Sequence, residues 1–262
     1  MIAGDKVRGG NHLYQWMLAH SRRRENPQTY VRTTENQAAW LEEFPHLREL
    51  AVRPHDMHVT DRRSLALGQA FGSDFTRDEL TDFCTTRLLA STSFSRRLTH
   101  LRETASERIV TVNVRRGDYY GTPFEPEFGM RITPFVIQAL NVLSRREAVD
   151  TVQLVSDDLG WCRASLAPAL IARGVDVRAT RPGKDMFDDL AALAVSRRLV
   201  LANSTFSYWG AYLATVLGAR PEDVVCPFFH QRALSSDRPR FHDPQWSVVQ
   251  RIEGGWQSAT PG

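Results

Sequence analysis

Residues 110–120 read VTVNVRRGDYY. With Ile109 before them they open as a short β-branched run and break at Arg115 and Arg116, which Gly117 and Asp118 follow. Such a run, closed by a glycine, reads as a buried strand ending in a tight turn. Two guanidiniums therefore stand at the carboxyl end of a strand. In an open α/β sheet that edge is where ligands bind, and a planar guanidinium matches a phosphate or carboxylate in a two-pronged contact. The residues read as an anion site of the kind a nucleotide pyrophosphate fills. The alternative is a solvated turn holding a structural Arg–Asp pair.

Downstream of this strand the pattern is regular. A loop rich in breakers and aromatics, Gly121 to Gly129, precedes a helix over Pro134–Leu143 and a strand over Asp150–Val155 that ends in Ser156-Asp157-Asp158. An amphipathic stretch follows over Trp161–Ala172, then a strand over Val175–Arg178 and a helix over Asp185–Ser196. Leu199–Ala202 reads as a strand, Ser204–Leu217 as a helix, and Asp223–Cys226 as the last strand. Strict alternation of strand and helix implies a parallel sheet covered on both faces.

Upstream the signals are weaker. A faint strand over 2–8 leads into Arg8-Gly9-Gly10-Asn11-His12 and a helix carrying Leu13, Tyr14, Trp16, Met17 and Ala19. Glycines before a helix let backbone amides approach a ligand, and a helix N-terminus favours negative charge; an ordinary strand-to-helix turn has the same composition. A strand over Thr29–Thr33, a helix over Glu35–Phe44 and helices between Thr76 and Thr104 complete this half. The expected fold class is therefore α/β, with a smaller N-terminal α/β lobe over 1–107 and a parallel-sheet lobe over 108–262.

Composition narrows the function classes. The formal charge of +3 arises from 33 basic and 30 acidic residues in a 262-residue chain, and many arginines fall in doublets such as Arg62-Arg63 and Arg145-Arg146. Doublets on solvated helix faces point away from a nucleic-acid partner. Three cysteines, Cys84, Cys162 and Cys226, lie far apart with no C-x-x-C spacing, which suggests neither a disulfide framework nor zinc and fits a cytoplasmic setting. No apolar run approaches a membrane span. His55-Asp56-Met57-His58 has a metal-like look but lacks further ligands nearby and reads as loop.

A second block carries chemistry: Leu201-Ala-Asn203-Ser204-Thr205-Phe206-Ser-Tyr-Trp-Gly210. A strand here gives way to small hydroxyl residues that begin a helix, so Ser204 and Thr205 can cap it while its free amides face an anion. The sequon at Asn203-Ser204-Thr205 is read as coincidence, since no secretory signal is evident.

Taken in order, Gly10-Asn11-His12, Asn113-Val-Arg115-Arg116-Gly-Asp118, Ser156-Asp157-Asp158, Asp189-Leu190 and Asn203-Ser-Thr-Phe resemble the α-1,2-fucosyltransferase family. The resemblance implies a two-lobed GT-B architecture with a Rossmann-like C-terminal lobe, a GDP-sugar donor, and inverting transfer of fucose or a related hexose or deoxyhexose to an acceptor hydroxyl on a glycan. It implies no metal and no other cofactor. It also implies that Arg115 binds the donor's β-phosphate, that Arg116 and Asp118 shape the loop, that Ser204, Thr205 and Phe206 complete the phosphate cradle, and that Asp189 recognises guanine. Asn113 stands where the family has a histidine and Pro123 where related α-1,6 enzymes have a glutamate, with Glu125 and Glu127 nearby as substitutes. Asp158, Glu125, Glu127 and His12 are the candidates for a general base. A module that binds a GDP-sugar without transferring it is the competing reading.

Overall fold

The computed structural model describes residues 9–64, 68–102, 106–179, 185–234 and 241–257. Its contacts divide the chain into two compact units, Met1–His100 and Leu101–Gly262, a boundary somewhat earlier than the sequence suggests. The strand expected over 2–8, and Arg8 with it, lie outside the described residues.

The first unit is built on α1 (Gly10–Arg22), whose residues from His12 to Ala19 are all buried. A helix buried on nearly every side belongs in a core, with His12 and Gln15 as its buried polar members. Two short parallel strands, β1 (Val31–Arg32) and β2 (Ala51–Val52), pair with Val31 opposite Ala51. Between them lies α2 (Ala38–Glu43), which a 3₁₀ turn over Glu35–Gln37 introduces. The helix α3 (Arg77–Phe83) starts at a Thr76/Glu79 capping box and runs on as a π-helical segment over Cys84–Leu88. Next comes α4 (Thr92–Arg102). Arg97 of α4 grips the nearly buried Glu43 of α2 through Nε at 3.0 Å and Nη2 at 3.3 Å, a forked pair that fixes the two helices together.

The second unit carries the sheet. Its elements are β3 (Ile109–Val114), α5 (Glu125–Phe128), α6 (Ile132–Ser144), β4 (Thr151–Ser156), α7 (Leu159–Trp161), α8 (Ala167–Ile171), β5 (Asp176–Ala179), α9 (Met186–Ala194), β6 (Arg198–Val200), α10 (Thr205–Val216), β7 (Val224–Pro227) and β8 (Ser247–Val249). The amphipathic stretch after β4 is one nearly continuous helical run, with a π segment over Cys162–Leu166 between α7 and α8. Asp223–Cys226 is not the last strand: β8 pairs in parallel with β7 at the sheet edge, and its three residues, Ser-Val-Val, are too few to show a period.

The sheet is wholly parallel in the order β5-β4-β3-β6-β7-β8. Counted from its own first strand this is 3-2-1-4-5-6, the Rossmann order. Side chains of β3 alternate as the pleat requires. Val110, Val112 and Val114 pack with Phe135, Ala139 and Leu143 of α6, while Thr111 and Asn113 face the other layer, where Thr111 shares a 2.6 Å hydrogen bond with Ser196. In that layer α9 and α10 approach closely: a Cβ on Gly210 would stand 2.5 Å from Leu193 Cβ, so only glycine fits.

The far edge of the sheet is secured by Arg198, 1% exposed, whose guanidinium donates to the carbonyls of Glu107, Leu143, Glu147 and Ala148. Burying that charge is tolerable because four oxygens receive it.

Candidate functional site

In this strand order the chain leaves β3 toward one side of the sheet and β6 toward the other. The loops after those two strands therefore diverge and leave a crevice at their carboxyl ends, the place where open α/β sheets take ligands. One wall is the Arg115–Tyr120 loop; the other is Leu201–Ser204 and the first turn of α10. Ser204 is the N-cap of α10 but its side chain makes no capping bond, contrary to the expectation, so the first-turn amides of Thr205, Phe206 and Ser207 have no cap from it.

Asp157, beyond the end of β4, organises the arginine loop. Its Oδ1 accepts the Arg116 backbone N–H at 2.8 Å, and its Oδ2 accepts the Gly117 N–H at 2.9 Å and the Arg115 Nη1 at 2.9 Å. Three donors converge on this carboxylate, and together they hold the loop in place. Gly117 is required by the same contact, since a Cβ there would sit 2.7 Å from Asp157 Oδ2.

Arg115 is gripped from its second side by Asp118 Oδ1, which accepts from Nε at 3.1 Å and Nη2 at 2.8 Å. A guanidinium has five N–H donors. These contacts engage one each on Nε, Nη1 and Nη2, so one N–H on each terminal nitrogen stays open to a ligand. Arg116 is spent differently. Its guanidinium lies 4.3 Å from the Tyr120 ring and 4.4 Å from the Trp161 ring, and its Nε donates to Asp158 Oδ2 at 3.1 Å. Held between two aromatic faces, it braces the loop.

Asn203 ties three loops together. Its side-chain amide, 1% exposed, donates to the carbonyls of Phe128 at 2.8 Å and His230 at 3.0 Å, and its own carbonyl accepts from the Tyr119 hydroxyl at 3.3 Å. Tyr119 stacks on Phe128 with ring centres 4.8 Å apart, and burial pushes its phenol pKa up. Asn113 is likewise internal: its amide donates to the Val155 carbonyl at 3.0 Å and accepts from the Ser207 hydroxyl, linking β3, β4 and α10. Both asparagines bond to groups inside the fold.

The carboxylates proposed as bases are also engaged. Asp158 caps α7 by accepting from Trp161 N at 2.9 Å while its other oxygen holds Arg116. Glu125 Oε2 accepts the Gly121 N–H at 2.8 Å, and Glu127 accepts from Gln231. Asp189 lies in the first turn of α9, which Asp185 caps through the amides of Phe187 and Asp188. Phe206 is half-buried in the first turn of α10.

The first unit holds Gly10, Asn11 and His12 in the opening turn of α1. Asn11 Oδ1 accepts from Gln69 Nε2 at 2.6 Å. His12 is 1% exposed beside Gln37 Nε2 at 3.4 Å, and burial lowers its pKa to about 4, which keeps the ring neutral. Gln37 also donates to Gln15 and accepts the Thr34 N–H at 3.1 Å, so His12 belongs to an internal amide network. His55 and His58 are exposed. Among the described residues no group of three or more His, Cys, Asp or Glu is arranged to hold a metal ion.

Sequence reading missed the loop after β7. His230 shares a 3.1 Å hydrogen bond with the Tyr208 hydroxyl, packs 4.4 Å from the Phe241 ring, and has its pKa lowered to about 4 by burial. Arg232 donates to the carbonyls of Gly129 and Trp256. Neither sits in a recognisable motif; the adjacent aromatic pair Phe228-Phe229 beyond a strand end is the one local hint.

Comparison with known proteins extends the picture. Residues 74–220 match the model of glycosyl transferase family 11. An α-1,2-colitosyltransferase of Escherichia coli is 28% identical over 132 residues, 50% of this chain and 44% of that protein. A mouse galactoside 2-α-L-fucosyltransferase is 26% identical over 205 residues, 77% of this chain and 46% of that protein. The chain spans less than half the length of these curated relatives. In structure it resembles an E. coli ADP-heptose lipopolysaccharide heptosyltransferase II, with a TM-score of 0.55 and 14% identity over 97% of this chain and 90% of that one, which shows the GT-B fold.

Proposed function

The chain belongs to glycosyl transferase family 11, and from that premise we propose that it transfers L-fucose or a related deoxyhexose from a GDP-sugar to a hydroxyl of a glycan acceptor, with inversion and without a metal. The unit from Leu101 takes the donor and the unit before it takes the acceptor. One observation carries this reading: Arg115 stands at the switch point of the sheet, anchored by Asp157 and Asp118, with one N–H open on each terminal nitrogen.

In the reaction the acceptor oxygen bonds to the anomeric carbon as the bond from that carbon to the phosphate oxygen breaks. The electron pair leaves with GDP, and the acceptor proton passes to a base. Charge accumulates on the departing pyrophosphate, where a preorganised donor is worth about 2.7–4 kcal/mol. Arg115 and the amides of α10 supply that stabilisation, which is also the support for doing without a metal. Of the carboxylates assigned as base, Glu125 keeps one oxygen open and Asp158 has both engaged. The relatives named for fucosyl and colitosyl transfer support a 6-deoxy sugar. Three buried free cysteines support a cytoplasmic setting, and no helix among the described residues is long and apolar enough to cross a membrane.

The engaged carboxylates favour one second reading, a module that binds the GDP-sugar without transferring it. A thermal-shift panel of GDP, UDP, ADP and CMP, with and without EDTA, tests the donor. Ligand at a hundred times its Kd adds about 2.7 kcal/mol. A response to GDP alone, unchanged by EDTA, is expected; an equal response to all four nucleotides overturns the assignment. Release of GDP from GDP-fucose separates enzyme from binding module.

A further inference from the structure

The first unit carries a cavity of about 640 Å³ at the carboxyl ends of β1 and β2, within the size range of small-molecule sites. Arg32 ends β1 and Arg53 follows the last residue of β2, and both line the cavity where these neighbouring parallel strands stop. Among the described residues neither forms an ion pair. Arg32 Nε is buried without a hydrogen-bond partner, a condition that costs free energy until an acceptor arrives. The Thr33 hydroxyl donates to the Val52 carbonyl at 3.3 Å and the Thr34 N–H donates to Gln37, while the Thr34 hydroxyl, like Arg32 Nε, is buried without a hydrogen-bond partner. The opposite wall is apolar, from Ala38 and Leu41 of α2 and from Pro54. Glu35 is exposed at the rim and reaches neither arginine.

We propose that this cavity binds an anionic saccharide, a sugar bearing a carboxylate or a phosphate, with Arg32 and Arg53 on the anion and the Ala38–Leu41 wall against the ring. Guanidiniums take both anions in the same forked way, so the shared chemistry is what the cavity selects. The assignment rests on the transferase reading in one respect: it makes the acceptor an acidic glycan. The Gln37 network that fixes the Thr34 loop also contains His12, so the cavity floor is tied to the opening turn of α1.

The experiment is calorimetry on the full chain with galacturonate, galactose 6-phosphate and neutral galactose at matched ionic strength, with GDP binding measured in parallel. At least one anionic sugar is expected to bind about tenfold more tightly than galactose. Whether galacturonate, the phosphate or both gain identifies the anion. The preference is expected to vanish in Arg32→Gln/Arg53→Gln with GDP binding unchanged. Arg53→Gln alone, at an exposed residue whose change leaves the fold intact, is expected to weaken it. Equal affinity for all three sugars, or a preference that survives loss of both arginines, overturns the proposal. If GDP binds and the anionic sugars gain nothing, the transferase reading stands and this site falls. If the sugars bind and GDP does not, the reverse holds.

Discussion

Replacing Asp157 by asparagine tests whether the arginine loop is held as the structure shows. The carboxylate receives the N–H groups of Arg116 and Gly117 at 2.8 and 2.9 Å and the Arg115 guanidinium at 2.9 Å. Asparagine keeps one oxygen for Arg116 but turns an NH₂ toward the other two donors. Bonds to a charged group contribute about 1.5–3 kcal/mol each, and with the Asp157 side chain 25% exposed, water replaces part of what is lost. The expected destabilisation is about 2 kcal/mol, a fall in Tm of roughly 4–8 °C. Arg115 remains but loses one anchor, so kcat/KM is expected to fall about 10- to 100-fold, less than the hundred- to thousand-fold that deleting a preorganised donor costs. Gly117→Ala should reach the same state from the other side, since its Cβ would press within 2.7 Å of Asp157 Oδ2. The double variant should then be little worse than either single one, because both break one contact. The assay is continuous release of GDP from GDP-fucose, paired with thermal unfolding and GDP affinity. If Asp157→Asn and Gly117→Ala both turn over within twofold of the parent while Arg115→Ala is inactive, Asp157 does not position Arg115 and the argument fails.

Other substitutions probe neighbouring links. Arg115→Lys keeps the charge but loses the fork to Asp118 and Asp157, and should abolish most turnover with circular dichroism unchanged; near-normal kcat would exclude the pyrophosphate role. Asn203→Leu strands two carbonyls and unties three loops, and is expected to cost about 2–4 kcal/mol in urea unfolding; a loss under about 0.5 kcal/mol would show that those loops hold without it. Gly210→Ala should destabilise by about 1–3 kcal/mol through its clash with Leu193, and an unchanged midpoint would contradict the close approach of α9 and α10. Burial lowers the pKa of His230 to about 4 and of His242 to about 3, from 6.5. Below pH 6.5 the unfolded chain therefore takes up protons that the folded one refuses. Stability should be complete above that pH and decline toward pH 4, by at most about 1.4 kcal/mol per pH unit for each histidine. Equal urea midpoints at pH 7 and pH 5 would refute this.

Much of the second unit could be read locally. The β-branched run from Ile109, the glycine that closes it and the alternation after it depend on neighbours in the chain. Arg115 could be placed at a strand end, because that position follows from the same run. What each polar side chain does could not be read this way. Asp157 and Arg116 lie 41 residues apart, and Asn203 and Phe128 lie 75 apart, so the bonds by which these side chains fasten loops together are invisible to a local reading. Strand β8 escaped notice because three residues carry no period.

By itself, then, the sequence determined the α/β class, the strand ends and the arginine pair. Tertiary structure alone decided the strand order, and with it the crevice between β3 and β6, because which strands become neighbours depends on pairings across the whole unit. It also decided which of two adjacent arginines is available: Arg116 is shut between Tyr120 and Trp161, while Arg115 is held with donors to spare. Adjacent residues at a strand end point in different directions, and only the packed loop shows what each one meets.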